Sequence, residues 1–155
     1  MKKVYIVFVL ALSTAIFLFG CSSKEKEIKK DVNLGFNQAT KVEVSSANHP
    51  EVVANTIDKK QDINTFINKL KVDKWTAEDL PDNAKKENVY KMYQEGTVKL
   101  GESSNKSKKE LQQVATVTTY KGIPYVSVEI KKLNLSLKVP NDVSEYLSSQ
   151  SLEKQ

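Results

Sequence analysis

The sequence predicts an α+β domain: an antiparallel sheet of about five to seven strands, with one amphipathic helix packed on one face and a short helix at the C-terminal end. Three observations predict it. Between Asp58 and Leu70, the apolar residues Ile63, Phe66, Ile67 and Leu70 recur at i, i+3, i+4 and i+7, one face of a helix. Further on, Val126, Val128 and Ile130, and then Leu133, Leu135, Leu137 and Val139, recur at the strand period of two. Turn signals at Lys121-Gly122 and Lys131-Lys132 separate these runs, so neighbouring strands pair as hairpins.

Taken in order, Lys41 to Ser45 alternates and reads as the first strand. Ala47-Asn48-His49-Pro50 is a turn, because Pro50 disfavours helix at His49 and cannot donate a ladder hydrogen bond. Val52 to Thr56 returns as the second strand. Asp58 is placed to cap the helix that follows, with Gln61 three residues on as in a capping box. Trp75 closes that helix against the core. Thr76 to Asp79 reads as a short turn stopped by Pro81, and Asp82 to Lys86 as loop.

Val89 to Tyr93 has the aromatic and branched content of a strand. Glu95-Gly96 turns it, Thr97 to Leu100 returns, and Gly101 to Lys109 is a polar loop. Glu110 to Tyr120 and Tyr125 to Ile130 are the next two strands. Between Ile130 and Leu133 the apolar residues change from even to odd positions. A one-residue slip reverses the faces of a strand, so Lys131-Lys132 must hold a tight turn or a bulge. Pro140 ends the last strand, and Asn141 caps a short helix carrying Val143, Tyr146 and Leu147. Ser148 to Gln155 reads as a frayed tail.

The first 21 residues carry a different signal. Met1-Lys2-Lys3 is a positive start, and Val4 to Phe19 is a run of sixteen residues with no charge. Gly20 then precedes Cys21, the only cysteine of the chain. A positive segment, an apolar segment and a small residue at the cut are the parts of an export signal. A permanent helical span needs roughly 20 apolar residues, which this run lacks.

Leu18-Phe19-Gly20-Cys21 resembles the lipobox of bacterial lipoproteins. Leu18, Gly20 and Cys21 match the usual pattern, and Phe19 is larger than the residue common at its position. The resemblance implies a diacylglyceryl group on the Cys21 sulfur, cleavage between Gly20 and Cys21, and a lipid anchor on the extracytoplasmic face of the cell membrane. It covers residues 1–21 only. The order of signal, polar tether, strand pair, Ile/Phe helix and strands also resembles small uncharacterised lipoproteins of Bacillus-like bacteria, a likeness that supplies no active site. The expected organisation is residues 1–20 as signal peptide, 21–40 as a flexible tether, 41–149 as one α+β extracytoplasmic domain and 150–155 as tail. Ser22-Ser23-Lys24-Glu25-Lys26-Glu27 has too little apolar surface to pack. As a flexible coil, the tether would hold the domain at roughly 25 Å.

Composition narrows the chemistry. A single cysteine excludes a disulfide framework and any zinc site built on a cysteine pair. The formal charge of +5 falls to +3 once Lys2 and Lys3 leave. Every basic residue is lysine. Arginine makes the bidentate contacts that read phosphate and guanine, so no nucleic-acid partner is expected. His49 is the only histidine; with Glu51 or Asp58 it makes a poor metal set, and no nucleophile stands beside it in sequence. Glu78, Asp79 and Asp82 cluster around Leu80-Pro81 and read as solvated loop charge. There is no nucleophile elbow, phosphate loop or dinucleotide fingerprint. No catalytic residue, cofactor or metal is therefore expected, and the chain does not read as an enzyme.

Trp75, Tyr90, Tyr93, Tyr120 and Tyr125 could form an aromatic binding surface, or could pack the core with their hydroxyls at its rim. Three functions remain. A non-enzymatic interaction module acting on an envelope protein would show a flat surface with an exposed apolar patch. A protein binding a small molecule or cell-wall fragment would show a pocket lined by Trp75 and the tyrosines. A hydrolase with a dispersed site would show converging acids around His49 or Asp79.

Overall fold

Alternation along the strands sets the layering of the molecule. The computed structural model describes Val32 and residues 35–96 and 110–150. Within them, seven strands form one sheet: β1 (Lys41–Ser46), β2 (His49–Ile57), β3 (Thr76–Ala77), β4 (Lys86–Glu95), β5 (Leu111–Tyr120), β6 (Tyr125–Ile130) and β7 (Leu133–Lys138). The order across the sheet is β2-β1-β4-β5-β6-β7-β3, and every pairing is antiparallel. Helices α1 (Lys60–Leu70) and α2 (Asn141–Ser149) and one 3₁₀ turn (Val72–Lys74) lie on a single face. This is the α+β architecture that the periodicities predict.

The covered face carries Val42 and Val44 of β1, Tyr90 and Met92 of β4, Ala115 and Val117 of β5, Val126 and Val128 of β6 and Leu137 of β7, all buried. Against them α1 sets Ile63, Phe66 and Leu70, and α2 sets Val143 and Leu147. The Phe66 ring stacks on Tyr90 at 5.7 Å and meets Tyr146 at 6.1 Å, which joins the two helices to the middle of the sheet. Trp75 is buried, and its indole N–H donates to the Leu70 carbonyl at 2.6 Å, satisfying one of the carbonyls orphaned at the end of α1. The expected closure of the helix by Trp75 is thus a hydrogen bond as well as a packing contact.

The change of parity after Ile130 is the mark of a two-residue hairpin. Ile130 and Leu133 are direct cross-strand partners, so residues of opposite parity share a face on either side of the turn. Lys131 takes φ 56° to make it.

Several local expectations are corrected. The residue that caps α1 is Lys59, in extended conformation and with no side-chain hydrogen bond, so Asp58 and Gln61 form no capping box. Pro140, not Asn141, precedes the first turn of α2, and its carbonyl accepts from Val143 and Ser144. Thr76-Ala77 is a strand that pairs with β7 rather than a turn. His49 and Pro50 belong to β2, where an edge strand tolerates proline. Lys86 begins β4, and Ser148 and Ser149 finish α2 rather than start a tail.

The domain also begins before Lys41. Val32 and residues 35–37 are helical, and Val32, Phe36 and Ala39 are buried in the core, with Phe36 meeting Trp75 edge-on at 5.9 Å. Covering Trp75 and the end of the sheet takes apolar surface that a chain starting at Lys41 lacks, and this stretch of the expected tether provides it. Residues 1–31 lie outside the described residues, as do the return strand expected at 97–100 and the loop expected at 101–109.

Candidate functional site

The aromatic residues do not assemble into one surface. Trp75 and Tyr90 lie on the covered face, and the Tyr90 hydroxyl donates to the Leu147 carbonyl. Burial pushes its phenol far above the ordinary value. Tyr93 stands three residues from Tyr90 and so faces the other way. Burial, and then the hydrogen bond to Glu43, raise its pKa. Tyr120 and Tyr125 also lie on the uncovered face, at the end of the β5–β6 hairpin. Trp75 and the tyrosines therefore share no single wall, because the strand period sends the tyrosines to opposite sides of the sheet and Trp75 packs in the core.

The uncovered face is polar. Its register aligns Ser45, Val89, Thr118, Ser127 and Ser136 in one row across five strands. Thr118, Ser127 and Ser136 line a shallow open groove, closed at one side by Leu80 and Tyr120, whose hydroxyl lies 2.7 Å from Ser127 Oγ. Lys86 and Glu129 are the charged residues of its wall. At the edge of this face β3 holds Glu78 beside β7. The Glu78 carboxylate accepts from the Tyr125 hydroxyl, and from Lys138 Nζ at 3.2 Å. The Tyr125 hydrogen bond, then Lys138, hold Glu78 below the usual carboxyl range; Glu78 in turn raises Tyr125 and Lys138. A carboxylate kept ionised between two donors ties β3 to the sheet and is the opposite of a general acid, whose pKa is raised.

The remaining acids and the histidine do not converge. His49 and Glu51 are neighbours at the start of β2, 3.5 Å apart, with side chains 73% and 69% exposed. Asp58 lies just past the far end of the same strand. Among the described residues, no three of His, Cys, Asp and Glu gather as a metal site. Asp79 and Asp82 remain in the loop before β4. Gly20 and Cys21 lie outside the described residues.

Searches with the chain against protein-family models, curated proteins and solved structures find no match. The surface itself is therefore the guide.

Strand β2 is where that surface departs most from a solvated sheet. Its partners jump from Ser46↔His49 to Ser45↔Val53, so Pro50, Glu51 and Val52 bulge away from β1. The bulge releases the alternation, and the consecutive residues Val52 and Val53 are both exposed, at 59% and 45%. No lysine occurs from Val42 to Asp58 in a chain that has 24. Lysines are common guards of edge strands; here proline, the bulge and Lys91 of β4, whose Nζ donates to the Pro50 carbonyl at 3.1 Å, take that role and leave an apolar pair outward. Sequence reading missed this pair. The available signal was Val52-Val53-Ala54, three non-polar residues in a row after a proline, which breaks the alternation of a half-buried strand.

Proposed function

We propose that the chain is a lipoprotein anchored through Cys21 to the extracytoplasmic face of the cell membrane, and that its domain is a non-enzymatic interaction module for an envelope protein. The anchor rests on the likeness of Leu18-Phe19-Gly20-Cys21 to a lipobox. The observation that carries the module is the exposed Val52-Val53 pair on the lysine-free edge strand β2. Adjacent apolar side chains held out from a rigid sheet bury surface only when a partner covers them, at about 25 cal/mol per Å² removed from water. Acids tied into structural pairs, as Glu78 is, lend the hydrolase reading no support.

Two experiments test the two halves. Labelled palmitate should enter the parent protein in growing cells and not the Cys21→Ser variant; equal incorporation in both would remove the anchor. Crosslinking in intact cells, followed by mass spectrometry, should join the parent to one dominant envelope protein and lose it in Val53→Lys. A variant that keeps every crosslink would overturn β2 as the docking element.

The groove on the polar face supports a second reading, the binding of a cell-wall fragment by rows of hydroxyls at Thr118, Ser127 and Ser136. Its mark is a saturable shift of those residues' amide signals by soluble wall glycan, removed by Ser127→Tyr.

A further inference from the structure

One end of the sheet receives the N-terminal chain. A Cβ added to Gly35 would stand 3.2 Å from Cδ1 of Ile130, so the entering segment lies directly on the last residue of β6. Gly35 and Gln38 share one groove with Lys131, Lys132 and Leu133 of the β6–β7 turn. The other ends of β1 and β4 point away, toward the Ala47-Asn48 hairpin tip.

This end is basic and apolar together. Lys131 and Lys132 are exposed at the tip of the turn, and neither engages a carboxylate among the described residues. Leu133, which begins β7, and Leu111, which begins β5, are two of the four exposed large hydrophobic residues among those described, at 38% and 42%. Among the described residues, the acids nearest this end are Glu95 and Glu110, on the β4–β5 side, Glu129, one residue before Ile130 on the polar face, and Glu43 in the same row on β1, where it pairs with Lys41. Glu95 is itself engaged.

We propose that the Lys131-Lys132 turn, with Leu133 beside it, docks on the anionic lipid headgroups of the membrane that holds the chain. The inference rests on the lipid anchor at Cys21. Ten residues lie between Cys21 and Val32, a reach of at most about 40 Å, so the end that receives the chain is the end held nearest the bilayer. Lysine draws a surface toward anionic lipid, roughly fivefold in partition for each residue. Two lysines would not hold a free domain. For a domain already anchored, contact is intramolecular, and a weak attraction is enough to fix its orientation. The Leu133 side chain, next to Lys132, would enter the headgroup boundary while the lysine ammonium groups stay among the phosphates.

The test uses the lipidated protein from cells, reconstituted in vesicles of phosphatidylcholine alone or with about a third phosphatidylglycerol. Hydrogen exchange is followed at residues 130–133 and, as a control at the other end of the sheet, at 47–51. The expected result is exchange at 130–133 slowed by roughly tenfold in the anionic vesicles only, with 47–51 unchanged. The doubly substituted protein, Lys131→Gln with Lys132→Gln, should lose that protection while keeping its thermal midpoint. Equal exchange in the two vesicles would overturn the proposal, as would protection that survives the double substitution. Protection on neutral vesicles caused by an added soluble polyglycerol phosphate, and absent with phosphatidylglycerol, would assign the surface to an anionic polymer instead and would also overturn it. Failure of the anchor shows separately, as absence of the diacylglyceryl mass from the purified protein before any vesicle is added.

Discussion

Phe66 is the side chain on which three elements meet. It sits in the middle of α1, stacks on Tyr90 of β4 and touches Tyr146 of α2. It is 1% exposed. Its ring cannot be replaced by collapse from one side, because the sheet below is held by its ladder and both helices are anchored by neighbouring residues. Phe66→Ala should therefore cost about 3–5 kcal/mol, the range for truncating a buried aromatic residue. Urea denaturation reads this as a lower midpoint at unchanged slope. A loss under roughly 0.5 kcal/mol, the size of an ordinary surface change, would mean that the stack on Tyr90 does not exist in solution.

Helix α1 shows what an element owes to its packing and what its ends leave open. Its apolar face was legible because Ile63, Phe66 and Leu70 keep helical spacing whatever lies outside them. Its start was not. Asp58 and Gln61 have the composition of a capping box, yet β2 runs on through Ile57 and sets the helix one residue later, which puts Lys59 at the cap. Lysine cannot accept the free N–H groups of the first turn. Lys59→Ser should stabilise the domain by about 0.5–1 kcal/mol, since the position already has the extended backbone that a serine cap uses. Asp58→Ala should leave the thermal midpoint nearly where it was. The reverse pattern would restore Asp58 as the cap.

The strands divide in the same way between local and non-local signals. Strands β5, β6 and β7 were legible down to the tight turn, because hairpin pairing is local and the parity of Ile130 and Leu133 encodes it. Strand β3 was not legible: two residues carry no period, and their partner β7 lies some sixty positions away. The Glu78–Tyr125–Lys138 cluster was missed for the same reason, since only that distant pairing brings it together. The Val52-Val53 surface depends on a bulge, which a reading by strict alternation smooths over.

For the molecule as a whole, the open question of extent is answered by the core. Val32, Phe36 and Ala39 precede every strand, yet Val32 and Phe36 are among the least exposed residues of the chain. They were read as tether because their surroundings are polar and because three apolar residues at i, i+4 and i+7 are a faint helical signal beside the long strand patterns. The structure places them over Trp75 and the end of β6, where Gly35 allows the close approach to Ile130. A chain that begins at Lys41 would expose the edge of Trp75 and lose three core side chains. It should unfold well below the parent, whereas removal of residues 1–20 should leave the thermal midpoint unchanged. Phe36→Ala in the full chain separates packing from truncation. It should cost about 3–5 kcal/mol, close to Phe66→Ala, because both remove a buried aromatic ring from one continuous core. Equal stability of the chain from Lys41 and the longer chain would return Val32 to Ala39 to the tether. A shared, large loss makes this segment the first element of the domain.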